Sequence, residues 1–164
     1  MPSNLKLNAV AFVSPQNQPI LIRTFIKQDE QAIKYHYIAH TSLDVIEERV
    51  AATGKTGDCY LGLLFSLEDV AVYGYITPLK VKIVIALPLS DAVVRDTEIS
   101  TIFKALHMAY YSSISNPFLK LNCFGDGSSG QSLLLSVGSS KWSGFKRRVD
   151  EISWVIGQTA NSSS

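Results

Sequence analysis

The sequence has little cysteine, few charged side chains and no long apolar run. Its 164 residues include two cysteines, Cys59 and Cys123, which are too few for a disulfide framework and do not form the C-x-x-C pair of many metal sites. No stretch reaches the ~18 consecutive apolar residues of a membrane-spanning helix. The N-terminal residues also lack the apolar run of a secretory signal peptide. These absences predict a protein of the reducing cytosol.

Charge is scarce and nearly balanced. Charged residues make up 18% of the chain and the formal net charge is +1, whereas a typical protein has about 25% charged residues. The basic excess expected of a protein that binds nucleic acid through its phosphates is missing, which excludes that class of partner. The length favours one domain, and 46% hydrophobic residues suffice for one compact core. Because so little of the surface is charged, we expect another protein to cover part of it.

Hydrophobic periodicity predicts five strands and three helices in the order ββαβββαα. The predicted strands are 7–13, 20–26, 59–65, 70–77 and 81–87, and the predicted helices are 29–53, 97–115 and 141–156. This order is typical of an α/β (α+β) sandwich around a mostly antiparallel five-stranded sheet, with the last three strands joined as a meander. The strands are apolar on both faces, so we expect helices on both sides of the sheet. We expect one domain over 7–157, a Gly/Ser-rich insertion at about 122–140, and a disordered tail over 158–164.

Three motifs could carry ligand chemistry, and each lacks part of its required pattern. Residues 125–130 match G-x-G-x-x-G, but they follow a helix instead of linking a strand to one. Residues 54–56 resemble the end of a Walker A loop, but they follow a helix rather than precede one. His36, His40 and Asp44 can share one helix side, but two histidines and one carboxylate fall short of a metal site. We therefore predict no cofactor, no metal and no catalysis, since no G-x-S-x-G elbow is present either.

The first helix carries an exposed flank with apolar residues beside charges. At ~100° per residue, Asp44 falls about 130° from the centre of the apolar face, close to Ile33, Tyr37 and Glu48. Apolar anchors beside charges are typical of protein interfaces. An ordinary solvated helix side would show the same pattern, so the residues alone leave both interpretations open.

Several segments together resemble the sedlin family. They are 35–48 (YHYIAHTSLDVIEE), 60–65 (YLGLLF), 72–77 (VYGYIT), 95–99 (RDTEI) and 116–118 (NPF). The resemblance implies a longin-type, SNARE-like fold with one helix on one face of the sheet and two on the other. It also implies a non-catalytic subunit of the trafficking protein particle (TRAPP) complex, a vesicle tether and Rab exchange factor of ER-Golgi and intra-Golgi transport. The pair Leu43-Asp44 corresponds to a region of the first helix that the family uses for partner contacts.

The resemblance defines an interaction hypothesis. The predicted contact residues are Ile33, Tyr37, Asp44 and Glu48 on the first helix, with Ala105, Met108 and Ser112 on the reverse side of the second. The implied partners are other TRAPP subunits, both longin-like and larger complex-specific ones, with a Rab GTPase served indirectly. Membrane association would be peripheral, at Golgi and ER-Golgi membranes, and only through the complex. The alternative is a stand-alone longin-type SNARE regulator or small-GTPase effector.

Overall fold

The fold consists of a five-stranded sheet and three helices in the predicted order. The computed structural model describes residues 5–25, 29–53, 59–89, 94–114 and 143–161. Its elements are β1 (Ala9–Val13), β2 (Pro19–Thr24), α1 (Asp29–Thr53), β3 (Tyr60–Leu67), β4 (Val70–Ile76), β5 (Lys82–Pro88), α2 (Asp96–Ile114) and α3 (Ser143–Asn161). The insertion expected at about 122–140 lies outside the described residues.

The strand order is β2-β1-β5-β4-β3, and all four neighbouring pairs are antiparallel. The last three strands form the predicted meander. The hairpin of β1 and β2 then joins the sheet through β1, which pairs with β5. This places β5 at the centre, and six of its seven residues are buried. Its apolar residues at both parities are therefore explained by helices on both faces.

Each face of the sheet has its own hydrophobic core. On one face, α1 packs Ile38 and Ile46 against Val72 and Val84 of the central strands. On the other face, α2 and α3 together cover the opposite side chains, including Phe12 of β1. The predicted distribution, with one helix on one face and two on the other, is confirmed and is the longin-like arrangement.

A bulge in the edge strand β3 ties α1 to the sheet. Gly62 has a φ of 76°, a left-handed conformation that glycine adopts without steric cost, and the register of β3 against β4 shifts between Tyr60 and Gly62. The carbonyl of the intervening Leu61 accepts a hydrogen bond from Arg49 Nη1 of α1 at 2.6 Å. At the bulge, a backbone carbonyl of the edge strand therefore accepts a hydrogen bond from the helix and connects the two elements.

Aromatic packing and one ion pair hold α3 in place. The ring of Phe145 lies edge-on to Phe12 at 5.0 Å and to Tyr110 of α2 at 5.8 Å between ring centroids. Arg23 of β2 donates two hydrogen bonds to the Asp150 carboxylate, at 2.8 and 2.9 Å. The helix continues to Asn161, five residues beyond the predicted end, so residues 158–161 of the expected tail are helical. Within the described ranges, none of the helices has the length and apolar character needed to cross a bilayer.

Candidate protein-interaction surface

The outer side of α1 brings the four predicted first-helix residues together. The side chains that α1 buries against the sheet leave the opposite side to solvent, where Ile33 is 76% exposed and Tyr37 is 65% exposed. Asp44 and Glu48 are exposed as well. At ~100° per residue all four fall within an arc of about 60°, nearly opposite the buried stripe and along ~22 Å of helix. We refer to Ile33, Tyr37, Asp44 and Glu48 as the α1 outer surface.

The charges beside this surface are engaged within the molecule. Glu47 accepts a hydrogen bond from Asn17 Nδ2 at 2.7 Å and lies 3.8 Å from Nζ of the buried Lys82. Lys34 pairs with Glu68 and Asp69 in the β3–β4 turn, at 3.0 and 3.2 Å. The hydrogen bond from Lys34 lowers the pKa of the Asp69 carboxyl, and the bond to Glu68 raises the pKa of Lys34.

Asp44 and Glu48 differ from these engaged charges. Neither carboxylate has a hydrogen-bond or ion-pair partner among the residues that the structure describes. Their charge is therefore available to a basic group on another molecule, beside two exposed apolar side chains. The combination of unpaired carboxylates and exposed apolar side chains distinguishes the α1 outer surface from the neighbouring sides of the same helix, where the charges are paired.

The three predicted α2 residues lie on the other side of the sheet. Met108 is 64% exposed and Ser112 is exposed, whereas Ala105 is half-buried because it lines a groove between α2 and α3. The structure therefore divides the seven predicted residues between two surfaces, separated by the sheet. We refer to Ala105, Met108 and Ser112 as the α2 outer surface.

A groove that hydrophobic periodicity did not predict lies between α2 and α3. The groove has a volume of about 430 Å³, and its walls include Ile102 and Ala105 of α2 and Ile152 and Val155 of α3. On the far side of α3, Trp154 is 65% exposed. Helical spacing from Phe145 and Val149 was a sufficient signal for the exposure of Trp154, since it places that residue opposite the buried stripe. The groove itself depends on how the two helices diverge, which spacing does not encode.

Residues with a shifted pKa lie in structural positions. The Tyr60 hydroxyl is half-buried and donates a hydrogen bond to Asp96 Oδ1 at 3.0 Å, and its pKa is raised by burial first and by Asp96 second. Burial likewise raises the pKa of Tyr73 and Tyr110. The bond from Tyr60 links the edge strand β3 to the first residue of α2, and so it contributes to the fold.

The other motifs from the sequence fall in two places. Residues 54–56 and 125–130 lie outside the described residues. His36 and His40 are exposed on α1. Within the described part of the chain, no three His, Cys, Asp or Glu side chains lie close enough together to hold a metal ion.

The chain is similar in sequence to several known proteins. The family model described as Sedlin matches residues 12–128. The Trafficking protein particle complex subunit 2-like protein of Bos taurus is 42% identical over 113 residues, covering 66% of this chain and 80% of the relative. The protein of the same description from Dictyostelium discoideum is 41% identical over 121 residues, covering 71% and 85%. An uncharacterised protein of Schizosaccharomyces pombe is 29% identical over 115 residues, covering 69% and 78%. The match to the family model begins within β1 and includes β2 to β5, α1 and α2. The chain belongs to the Sedlin family.

Proposed function

We propose that this protein is a non-catalytic subunit of a TRAPP vesicle-tethering and Rab exchange-factor complex. Its role is to assemble or stabilise that complex in ER-Golgi and intra-Golgi transport. The names of the relatives support membership of the complex. The α1 outer surface is the observation that carries the proposal, because it combines exposed apolar side chains with unpaired carboxylates on one side of a helix.

The chemistry of the α1 outer surface suits docking. Burying an exposed aromatic or branched aliphatic side chain contributes roughly 1.5–3 kcal/mol each, and Ile33 and Tyr37 are one helical turn apart on the same side. Asp44 and Glu48 supply negative charge at the other end of the surface. Complementary charge sets the orientation and the rate of association more than the affinity. The fitting neighbour therefore presents an apolar pocket next to a lysine or arginine.

A second neighbour would use the α2 outer surface. Met108 is a flexible apolar contact, and the small side chains of Ala105 and Ser112 allow another helix to approach closely. Because the sheet separates this surface from the α1 outer surface, two different subunits can bind the protein at once. A connecting subunit in an assembly needs this property.

The ionisable groups support a structural role. In the part of the chain that the structure describes, the groups with a shifted pKa are buried or half-buried tyrosines and ion-paired residues distributed over the fold. The polar side chains of the α2/α3 groove, such as Arg148 and Glu151, are exposed. An active site typically concentrates buried titratable groups with shifted pKa values in one cleft.

The test is purification of the tagged full chain from its native cells at low salt, with identification of the co-eluting proteins. We expect other TRAPP subunits to be recovered. Asp44→Lys should reduce their recovery roughly tenfold or more, because it places a positive charge against the partner's basic group. Glu68→Lys is the matched control, since it reverses an exposed acidic residue that is not one of the four residues of the α1 outer surface. Asp69 remains as an ion-pair partner of Lys34.

The outcomes distinguish the proposal from its alternative. Recovery of SNARE proteins or a nucleotide-loaded GTPase without TRAPP subunits would favour a stand-alone longin-type regulator. Equal recovery with Asp44→Lys and with the wild type would show that the α1 outer surface is not the docking site. Circular dichroism of each variant checks that the fold is intact.

A further inference from the structure

One side of α3 carries a short, exposed row of residues with symmetric spacing. Gly144, Arg148, Glu151 and Val155 follow 4, 3 and 4 spacing, so at ~100° per residue they fall within an arc of about 60°. Gly144 and Arg148 are exposed, and Val155 is 52% exposed. Arg148, Glu151 and Val155 also form part of the α3 wall of the α2/α3 groove. We refer to these four residues as the α3 ridge.

The spacing of the α3 ridge is the same in both chain directions. Its outer pair, Gly144 and Val155, and its inner pair, Arg148 and Glu151, are centred on the same point between positions 149 and 150. If a second α3 lies antiparallel across a twofold axis at that point, each Arg148 faces the other copy's Glu151. Each Val155 then faces the other copy's Gly144. A two-fold interface requires this kind of self-complementary patch.

Both pairings are chemically favourable. The inner pairing gives two ion pairs related by symmetry. In the outer pairing a branched apolar side chain meets a residue without one. Among the described residues, apart from its chain neighbours and the backbone of its own helix, nothing lies within 4 Å of the position of a Cβ on Gly144. The 4-3-4 spacing is that of a coiled-coil seam, in which side chains of one helix fit between those of another.

We propose that the α3 ridge is a self-association surface whose occupant is the α3 ridge of a second copy of this chain. The half-exposed apolar groove residues of α3 beside the ridge, Ile152 and Ile156, become more buried in the pair. Only ~16 Å of helix takes part in each copy, so the dimer belongs to the small, weak class of interfaces.

The first measurement is the oligomeric state of the purified full chain by analytical ultracentrifugation with a reducing agent present. From the size of the interface we expect a reversible monomer–dimer equilibrium with a dissociation constant of roughly 10–500 µM. Added salt should weaken the dimer, because the ion pairs are exposed to solvent. A protein that stays monomeric up to about 1 mM, beyond the weakest affinity expected of such a seam, would overturn the proposal.

The second measurement compares the dimer affinities of two charge-reversed variants, each alone and as a mixture. Arg148→Glu alone places two carboxylates opposite each other at both inner contacts, and Glu151→Arg alone does the same with two cations. We expect each variant to dimerise about tenfold more weakly than the wild type. An equimolar mixture of the two restores attraction at both contacts, so its heterodimer should be within about threefold of the wild-type affinity.

Arg147→Glu is the matched control. It makes the same charge change one position earlier, about 100° around the helix from Arg148, and it breaks only the exposed pair of Arg147 with Glu151 at 3.6 Å. We expect at most a threefold change. Dimerisation that is unaffected by Arg148→Glu, or a mixture that gives no recovery, would refute the proposed seam.

Discussion

Truncation of Phe145 is the sharpest test of how α3 is held. The side chain is 2% exposed and contacts the rings of Phe12 and Tyr110 edge-on. Phe→Ala changes in a core typically cost 3–5 kcal/mol, because they lose transfer free energy and leave a cavity. Each aromatic pair adds about 0.5–1.5 kcal/mol beyond the buried area. We therefore expect Phe145→Ala to lower the free energy of unfolding by about 4 kcal/mol.

The loss is large relative to the total stability, which is about 5–15 kcal/mol for a domain. For a chain of this length it corresponds to a decrease in the melting temperature of roughly 10 °C. Urea unfolding followed by circular dichroism measures the free energy, and hydrogen exchange shows where protection is lost. We expect the largest loss of protection in α3 and the part of α2 beneath it, because Phe145 connects these helices to β1.

Trp154→Ala provides the matched control. It removes a larger aromatic side chain from the same helix, but that side chain is 65% exposed on the side away from the core. An exposed substitution should change stability by no more than about 0.5 kcal/mol. Equal effects of the two variants, or a cost below 1 kcal/mol for Phe145→Ala, would refute the packing argument.

Two further predictions concern the ion pair on α3 and the tyrosines. Replacing Arg23 with Met should cost about 0.5–1 kcal/mol, because the pair with Asp150 is bidentate but partly exposed, and the cost should shrink in high salt when measured by urea unfolding. Alkaline pH should unfold the protein, since burial raises the pKa of five tyrosines, Tyr35, Tyr60, Tyr73, Tyr75 and Tyr110. A pKa raised in the folded state means that stability is present below the unfolded value of ~10 and is lost as pH rises above it. Tyr60→Phe should make this decrease less steep. If the free energy of unfolding did not change between about pH 9 and pH 12, the expected loss of stability above about pH 10 would be contradicted.

Local patterns were sufficient to predict the elements of this fold. The apolar run that became β5 was buried on both faces because β5 is the central strand. The 4-3-4 spacing of Ala39, Leu43, Ile46 and Val50 likewise indicates which side of α1 meets the sheet, and the first three of these are buried. Both signals come from the requirement that apolar side chains leave water, which acts along a few residues at a time.

The features that the sequence did not predict depend on residues far apart in the chain. The pairing of β1 with β5 joins strands about 70 positions apart, and no local pattern selects that neighbour. Lys82 is buried in a predicted strand because Asn17 and Glu47 surround its ammonium group. The bulge at Gly62 similarly depends on Arg49. Such polar contacts compensate for the cost of burying charge or backbone, and only the folded structure brings their partners together.

Prediction of the interaction surfaces was limited for the same reason. Helical spacing placed Ile33, Tyr37, Asp44 and Glu48 on one side of α1, and the structure brings them together there. Whether a partner covers them is a property of a second molecule, so their role stays a prediction. Helical spacing also identified the outward side of α2. The groove beside it forms between α2 and α3, so its prediction requires the relative position of the two helices.

The separation of the α1 outer surface from the α3 ridge has an energetic consequence. The α1 outer surface and the α3 ridge lie on opposite faces of the sheet and share no side chain, and substitutions at distant sites without common partners usually add within about 0.5 kcal/mol. Asp44→Lys should therefore leave the dissociation constant of the dimer unchanged. Arg148→Glu should leave docking through the α1 outer surface unchanged. If instead Asp44→Lys weakened the dimer by as much as Arg148→Glu, self-association would use α1, and the symmetric seam on α3 would be wrong while membership of the complex could still hold.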